Sequence, residues 1–382
     1  MGGYQGVMED RCVTADERIA VIHDGCKETP GGAAKVSVEL AQVLDADLYV
    51  GRTGCRDWYA EHAPREVTVY SPRSNRLPAL LRDANVAYQT GKLHLPAYDT
   101  VVTSGVPAKF YQPESFQRHV HYTHHPPLWY AQWLGRDSLN GIRGNLRYAT
   151  RKFGMYVDWL EMQRVETVLA NSETTRSRIC RHYRRDATVV NPPIAYSDDP
   201  VLSSDERDDY FLYAGRLGER KRLETLIQAL AQTDQRLVVA GDGPLRSKLT
   251  SLANARGADV EFRGFVDEDV LEDLMRCAQC GVFVPEEEDF GMAIAELLCW
   301  GTPLIVADEP NPTYMVGNTD GVRVDPTTDA IAQAVATFDR ADYDYTDIAE
   351  RARDRYGRER FSDEVRHVLF DDGCDPSGWP NE

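Results

Sequence analysis

The stretch YFLYAGRLGERKRLETLIQALAQTDQRLVVAGDG, residues 210–243, decides the fold of its half of the chain. A short β-branched and aromatic run ends in a glycine, an amphipathic run of helical period follows, and a second β-branched run ends in Gly-Asp-Gly. This alternation is typical of a strand, a helix and a parallel strand in an α/β protein. It continues through TPLIVAD, residues 302–308, and predicts a doubly wound parallel sheet.

A comparable alternation fills the first half of the chain, beginning with the strand-like run RIAVIHDG at 18–25. A glycine pair, Gly31-Gly32, then opens an amphipathic helix, and further strand-like runs follow. At 382 residues the chain exceeds what one hydrophobic core usually organises, so we expect two domains. The expected organisation is a disordered extension at 1–17, Rossmann-like domains at 18–200 and 201–346, and a helix with a frayed tail at 347–382, the helix being a candidate to pack back on the first domain.

The composition is that of a folded protein, with 42% hydrophobic and 27% charged residues. No apolar run reaches the length of about 18 residues that suggests a membrane span, and acidic residues stand where a signal peptide would be apolar. We therefore expect a cytoplasmic protein, and its eight scattered cysteines are expected to be reduced.

Acidic residues are concentrated in the second half of the chain. The net charge is −18, and residues 186–382 hold 41 acidic against 19 basic residues. Such a surface disfavours nucleic acid as a partner, because the phosphate backbone is itself anionic. It also suggests a halophile-like protein, since salt would screen the self-repulsion.

Two cations follow the strand that begins the second half. Arg216 comes directly after the strand-ending Gly215, and Lys221 stands five residues later, across a turn. Ligands bind at the carboxyl edge of open parallel sheets, and two cations there suit a diphosphate. The alternative is a solvated turn that carries ordinary surface cations.

A second candidate is the loop Glu288-Asp289-Phe290-Gly291, which enters the helix that begins with Met292. Backbone N–H groups at a helix N-terminus can bind a sugar hydroxyl or a phosphate oxygen, and a glycine permits close approach. Glu296 lies eight residues after Glu288 within an apolar run, where a charge is costly unless it is used. The alternative is an acidic loop that is merely solvated.

Four histidines, His119, His121, His124 and His125, crowd one strand and its exit. From the residues alone, His124 is either a core histidine or part of a metal cluster. No Asp, Glu or Cys completes a metal set nearby, so we predict no metal site.

The order GRL…K, GDGPL, F-x-G-x-V, FVP, E-x-F-G-x4-E and GTP-L-I, over roughly 210–310, resembles the donor-binding domain of family-4 glycosyltransferases. The Y-x-H-x-P-P element at 122–127 and the NPPI sequence at 191–194 extend the resemblance to the first half. It implies a GT-B fold, in which two Rossmann-like domains face a cleft. It also implies transfer of a hexose from a GDP- or UDP-linked sugar with retention of anomeric configuration, and no further cofactor.

The resemblance assigns roles residue by residue. Arg216 and Lys221 are expected to clamp the diphosphate, Glu288 to bind the transferred sugar, and His124 to stand beside the reacting anomeric carbon. The residues expected to hold the donor are Gly31, Gly32, Arg216, Lys221, Gly264, Phe265, Val266, Glu288, Phe290, Gly291, Met292 and Glu296. Where family members usually carry glycine after the lysine, this chain has Arg222, which either adds a phosphate contact or alters the turn.

The acceptor is expected to be a saccharide or a lipid-linked saccharide. Residues 136–185 hold 11 basic against 5 acidic residues with interleaved aromatics, which favours peripheral contact with anionic lipid at the cytoplasmic face of a membrane. The alternative is that these arginines balance the acidic second domain. Two other functions stay open, a catalytically idle subunit that binds nucleotide sugars and a sugar-nucleotide epimerase of GT-B fold.

Overall fold

The computed structural model describes residues 17–26, 30–52, 54–71, 79–126 and 141–370. The predicted extension at 1–17, apart from Glu17, and the tail beyond 370 lie outside the described residues. The chain divides into two compact units, which we call unit 1 (Met1–Val190 with Phe361–Glu382) and unit 2 (Asn191–Arg360).

Unit 1 is built on a seven-stranded sheet whose paired strands are parallel. Its strands are β1 (Ile19–His23), β2 (Asp47–Val50), β3 (Val67–Val69), β4 (Thr100–Ser104), β5 (Arg118–Thr123), β6 (Thr167–Ala170) and β7 (Thr188–Val189). Their order is β3-β2-β1-β4-β5-β6-β7, so the winding reverses between β1 and β4. Every residue of β1 and β4 is buried, as expected for parallel strands that are covered on both faces.

Unit 2 has a six-stranded sheet, again with parallel pairing. Its strands are β8 (Asp208–Ala214), β9 (Leu237–Ala240), β10 (Val260–Gly264), β11 (Ala278–Phe283), β12 (Leu304–Ala307) and β13 (Gly321–Val324). Their order is β10-β9-β8-β11-β12-β13, which places the reversal between β8 and β11. In both units the crevice beyond the carboxyl ends of the strands at this reversal is where such sheets bind ligands.

Helices connect the strands of both sheets. They are α1 (Gly32–Val43), α2 (Arg56–His62), α3 (Ala79–Thr90), α4 (Gly141–Arg164), α5 (Glu173–Tyr183), α6 (Leu223–Leu230), α7 (Arg246–Arg256), α8 (Glu268–Cys277), α9 (Met292–Cys299), α10 (Pro310–Met315), α11 (Thr328–Ala336), α12 (Tyr345–Tyr356) and α13 (Arg358–Phe370). Among the helices of the described residues, none is both long and apolar enough to cross a membrane. The predicted α/β class with two doubly wound sheets is confirmed.

The division between the units differs from the domain limits predicted at 200 and 346. Ile194 already belongs to the core of unit 2, where its N–H donates to the carbonyl oxygen of Tyr356 at 2.8 Å. Helix α12 also stays with unit 2, because Ile348 and Ala352 lie in the same core. The segment 191–200 and α12 therefore both belong to unit 2.

Of the two C-terminal helices, α12 and α13, only α13 belongs to unit 1. Phe361, Val365 and Leu369 are buried there among the residues of α1 and the central strands. The guanidinium of Arg366 donates to the carbonyl oxygen of Val43 at the end of α1, at 2.9 Å. Apolar contacts and a capped carbonyl thus attach α13 to unit 1.

The expectation that all eight cysteines are reduced is wrong for one pair. Cys26 and Cys55 form a disulfide with a Cα–Cα distance of 5.9 Å. The two cysteines follow β1 and β2, which are adjacent in the sheet, so topology brings them together across 29 residues of sequence. Cys277 and Cys280 form a CxxC sequence. Cys277 ends α8 and Cys280 is buried in β11, so this sequence joins a helix to a core strand.

Candidate functional site

The reversal between β8 and β11 brings together two loops that the sequence singled out. Gly215 and Arg216 directly follow β8, and residues 284–291 link β11 to α9. Since β8 and β11 are paired, with Gly281 opposite Leu212, both loops leave the same edge of the sheet. The diphosphate and sugar-binding loops predicted from sequence are therefore neighbours in unit 2.

Lys221 and Glu288 form an ion pair that joins these two loops. The Lys221 Nζ lies 2.5 Å from the Glu288 Oε2, and the two side chains are 27% and 18% exposed. An ion pair that is this far removed from water is screened less than a surface pair. The structure thus places a predicted phosphate-binding cation in direct contact with a predicted sugar-binding carboxylate.

Arg216 is exposed, and its guanidinium makes no hydrogen bond or ion pair with the rest of the described chain. Its backbone is fixed, because its carbonyl oxygen accepts from the Tyr213 hydroxyl at 3.2 Å and from the Gly218 N–H at 3.0 Å. A fixed backbone that carries an uncommitted guanidinium can bind a phosphate without first breaking another ion pair.

Helix α9 presents an uncapped N-terminus at the same edge. Gly291 precedes it with φ +84°, a left-handed conformation that favours glycine, and no side chain caps the helix. The N–H groups of Met292 and Ala293 can therefore bind an anion. Met292, Ala293 and Glu296 are half-buried and lie on one face of α9, so Glu296 is on the same side as these N–H groups.

The residue before this glycine anchors the loop to the core. Phe290 is buried, and its ring lies 5.7 Å from that of Tyr356 in an edge-to-face arrangement. Its carbonyl oxygen accepts a hydrogen bond from the side-chain amide of Asn311, which is also buried. The entry to α9 is thus held from below by apolar and polar contacts together.

The sequence Gly264-Phe265-Val266 begins with the last residue of β10 and leaves the sheet at the same edge. The Gly264 carbonyl oxygen accepts from the Gly241 N–H at 2.7 Å, which ties it to the Gly-Asp-Gly turn after β9. The Phe265 side chain is 75% exposed. A large aromatic ring therefore stands in solvent at one of the residues that are expected to hold the donor.

The remaining predicted residues, Gly31, Gly32 and His124, belong to unit 1. Gly31 precedes α1 in an extended conformation, and a Cβ added there would meet no atom within 4 Å. The surroundings within unit 1 therefore do not require a glycine at 31.

His124 follows β5 and is held from both sides. Its Nε2 lies 2.8 Å from the Ser104 Oγ, and its carbonyl oxygen accepts from the Asn171 amide at 2.9 Å. Burial lowers the pKa of His124 well below 6.5, and the nearby His23 and His125 act in the same direction. The imidazole is therefore neutral near pH 7.

The histidines of β5 itself are core residues. His119 and His121 are buried, and the Thr103 hydroxyl lies 3.0 Å from the Nε2 of one and 2.9 Å from the Nδ1 of the other. Burial lowers the pKa of His119 to about 4 and that of His121 well below 6.5. The described residues include no group of three or more potential ligands arranged for a metal ion.

Asp24 and Ser104 were not singled out from the sequence; Ser104 contacts both His124 and His23, and Asp24 directly follows His23 in the chain. The Ser104 carbonyl oxygen is 2.9 Å from the His23 Nδ1, and the Asp24 Oδ1 accepts from the Ala108 N–H at 2.9 Å. Burial raises the pKa of Asp24 to about 7, although the positive charge of Arg52 opposes the shift. Their positions directly at the ends of β1 and β4 were the signal that could have identified them.

Comparison with known proteins identifies the segment that contains the Lys221–Glu288 pair. Residues 197–355 match the family model described as "Glycosyl transferases group 1". This segment is similar to the group 1 glycosyl transferases. The family resemblance read from the sequence is confirmed for this part of the chain.

Two curated bacterial enzymes match part of the chain. One is the GDP-mannose-dependent alpha-(1-6)-phosphatidylinositol dimannoside mannosyltransferase of Mycobacterium tuberculosis, 35% identical over 133 residues, which are 33% of this chain and 34% of the relative. The other is the alpha-D-kanosaminyltransferase of Streptomyces kanamyceticus, 31% identical over 133 residues, 32% of this chain and 34% of the relative. The matches span only about a third of each relative's length.

Solved structures resemble the chain over nearly its full length. The sucrose-phosphate synthase of Thermosynechococcus elongatus is 19% identical, with a TM-score of 0.71, over 92% of this chain and 98% of its own. The HepE protein of Anabaena, in complex with UDP and glucose, is also 19% identical, with a TM-score of 0.70 over 92% and 99%. At this identity the likeness shows the fold alone, which is GT-B.

Proposed function

We propose that the chain is a retaining glycosyltransferase that moves a hexose from a GDP- or UDP-linked sugar to a saccharide or a lipid-linked saccharide. The observation that carries this proposal is the Lys221–Glu288 pair beside the uncapped N-terminus of α9. A cation, a carboxylate and free N–H groups at one sheet edge match the diphosphate and the hydroxyl groups of a sugar nucleotide.

The chemistry follows from charge. As the bond between the sugar and the diphosphate breaks, negative charge grows on the diphosphate. Arg216, Lys221 and the N-terminus of α9 stabilise this charge. Glu288 accepts hydrogen bonds from the transferred sugar and Glu296 from the ribose. The proton of the acceptor hydroxyl passes to the departing diphosphate on the same face of the sugar, which is the retaining course that the family resemblance implies.

For His124 we propose the catalytic role on unit 1 that the same resemblance implies. Its neutral imidazole can accept or donate a hydrogen bond without adding a positive charge. The Ser104 hydroxyl and the Asn171 amide fix its ring and its backbone. Gly31 and Gly32 are assigned to the phosphates of the donor, together with α1, which they open.

A lipid-linked acceptor is supported by the exposed face of α4. Phe153, Tyr156 and Leu160 are exposed at helical spacing, and the Lys152 Nζ lies 5.7 Å from the centre of the exposed Tyr148 ring. Exposed apolar side chains beside a cation suit the headgroup region of an anionic membrane. One curated relative is named as a phosphatidylinositol dimannoside mannosyltransferase, which supports an acceptor of the same class.

The membrane contact is tested by flotation with vesicles that contain anionic lipid. We expect co-flotation that weakens as salt is added and that is lost in the double variant Phe153→Ser and Tyr156→Ser. Absence of flotation at every salt concentration would reject the contact, and the basic residues of 136–185 would then be taken to balance the acidic half of the chain.

The donor reaction is tested by a thermal-shift screen with GDP-mannose, UDP-glucose and the free nucleoside diphosphates, followed by product analysis. A ligand at 100 times its Kd stabilises the protein by about 2.7 kcal/mol, so a donor is recognised by its shift. We expect transfer of the sugar to acceptor or to water. Binding without any turnover would indicate an idle nucleotide-sugar-binding subunit, and an epimerised sugar nucleotide would indicate an epimerase.

A further inference from the structure

Arg222 departs from the glycine that the family resemblance leads one to expect. It lies directly before α6, after the short 3-10 turn Glu219–Lys221, with φ +50° and ψ +30°. This left-handed conformation is unfavourable for any residue with a Cβ, whereas glycine adopts it freely. The arginine side chain must therefore make contacts that offset the conformational cost.

These contacts reach the loop between β11 and α9. The Arg222 Nη2 lies 2.6 Å from the Glu309 Oε1, and its Nη1 donates to the carbonyl oxygen of Pro285 at 3.1 Å. The two charged side chains are 23% and 20% exposed. The guanidinium thus grips a carboxylate and a loop carbonyl together, the planar geometry for which arginine is suited and lysine is not.

Glu309, which directly precedes α10, also contacts the loop between β11 and α9. Its second oxygen, Oε2, accepts from the backbone N–H of Glu287 at 3.1 Å. Glu287 is itself a non-glycine residue in the left-handed region, with φ +54°. Such conformations persist where the surroundings hold them, and they are common at ligand sites. The next residue is Glu288, so the strained backbone directly precedes the predicted sugar-binding carboxylate.

The neighbouring ion pair on the same two loops differs in its surroundings. Arg220 and Glu287 approach to 2.7 Å, but their side chains are 54% and 44% exposed. Exposed pairs of this kind contribute little, because water screens them and two long side chains must be ordered. The side-chain contacts of Arg222 are more buried and reach loop carbonyls, and they act together with the backbone hydrogen bond from the Glu286 N–H to the Arg220 carbonyl oxygen at 2.7 Å, which Arg220→Ala would keep.

We propose that Arg222 is a positioning residue for the donor sugar, which acts through Glu309 and the backbone of 285–287 to hold Glu288 in place. The inference rests on the proposed function. It assigns Arg222 no phosphate contact, because its guanidinium is already committed to Glu309 and to loop carbonyls. Loss of the bridge should disturb recognition of the sugar and leave that of the diphosphate, which falls to Arg216, Lys221 and α9.

The test compares Arg222→Gly, Glu309→Gln, the double variant and Arg222→Lys with the wild-type protein, and Arg220→Ala is the matched control. Glycine suits the left-handed backbone at 222, so the fold should be kept, which circular dichroism and Tm will check. For each protein, kcat/KM is measured with the sugar nucleotide that the wild type uses, and Kd with the corresponding nucleoside diphosphate.

We expect Arg222→Gly and Glu309→Gln each to lower kcat/KM by roughly 10- to 100-fold, the scale on which a misplaced group affects catalysis. The Kd of GDP or UDP should change by less than about threefold, because the groups assigned to the diphosphate keep their positions. The double variant should be no worse than the poorer single variant, because both changes break one bridge. Arg222→Lys should retain part of the kcat/KM that Arg222→Gly loses. Arg220→Ala should have the kcat/KM of the wild type.

Three results would overturn the inference alone. Wild-type kcat/KM in Arg222→Gly would show that the bridge positions nothing, and strictly multiplicative losses in the double variant would show that the two residues act separately. An equal loss of nucleoside diphosphate affinity would show a collapse of the whole site. A wild-type protein that binds no sugar nucleotide would overturn the proposed function as well, which separates the two failures.

Discussion

The ammonium group of Lys221 lies 2.5 Å from the carboxylate of Glu288, so the cation predicted for the diphosphate and the carboxylate predicted for the sugar neutralise each other. A sugar nucleotide that engaged both groups would compensate each for the lost partner. A nucleoside diphosphate would take Lys221 and leave the carboxylate without its cation. The pair should therefore favour the intact donor over the product that remains after transfer.

Glu288→Gln should reverse this preference. With the competing carboxylate neutralised, GDP or UDP should bind roughly fivefold more tightly, which corresponds to about 1 kcal/mol for a partly exposed pair. The sugar nucleotide should bind more weakly, because the amide is a poorer acceptor for its hydroxyl groups. Isothermal titration of both ligands gives the ratio, and Glu287→Gln, which alters the exposed pair with Arg220, should leave it within about twofold. Parallel weakening of both ligands in Glu288→Gln would contradict the prediction.

Ser104→Ala should slow turnover without altering donor binding. The Ser104 Oγ is 2.8 Å from the His124 Nε2, so its removal frees the imidazole to rotate. We expect kcat to fall by roughly tenfold or more through loss of orientation, with the donor Kd unchanged. Ser104→Thr keeps the hydroxyl and should retain most of the rate. An unchanged kcat in the alanine variant would separate Ser104 from the reaction.

The stability of unit 1 should fall as the pH drops from about 6.5 towards 4. His23, His119, His121 and His124 all have lowered pKa values because they are buried, about 4 for His23 and His119, so in this window the unfolded chain binds more protons. Each such histidine contributes about 1.4 kcal/mol per pH unit to the slope. Urea unfolding at pH 7 and pH 5, followed by circular dichroism, measures the change.

The titration of Asp24 affects stability in the opposite direction. Its pKa is raised to about 7 by burial, so the folded state binds its proton first, and this contribution grows as the pH falls. Asp24→Asn keeps an oxygen that can accept from the Ala108 N–H but removes the titration. The loss of stability between pH 7 and pH 5 should therefore be steeper in this variant, and a shallower loss would refute the assignment.

Salt should stabilise the protein. With 41 acidic against 19 basic residues in 186–382, self-repulsion is strong at low ionic strength, and the Debye length shrinks from about 10 Å at 0.1 M to about 3 Å at 1 M. We expect Tm to rise between these concentrations of KCl, a salt chosen because sulfate would also strengthen apolar burial. A protein that is most stable below about 0.1 M would not be the halophile-like one that its charge suggests.

The sequence was most informative where local pattern and function coincide. The runs that became β8, β9 and α6 show their period directly, and the strand-ending Gly215 marks the ligand-binding edge. The spacing of Glu288 and Glu296 also indicated the loop and helix that the structure shows. In these cases a few consecutive residues contain the whole signal.

Contacts between residues that are far apart in the sequence could not be predicted from it. Arg222 meets Glu309, and Ser104 meets His124, only because parallel strands bring their carboxyl ends to one edge. The Cys26–Cys55 pair has the same origin, and composition alone led to the wrong expectation there. The charge of Arg222 was visible, but its partner was not.

The two units also differ in how their residues are distributed along the chain. Unit 2 is one continuous segment, Asn191–Arg360, whereas the core of unit 1 includes Phe361, Val365 and Leu369 from α13. During synthesis, unit 2 can finish its core before the ribosome releases the last helix that unit 1 requires. The half of the molecule that is translated first is therefore completed last, because unit 1 cannot close its core until α13 has also left the ribosome.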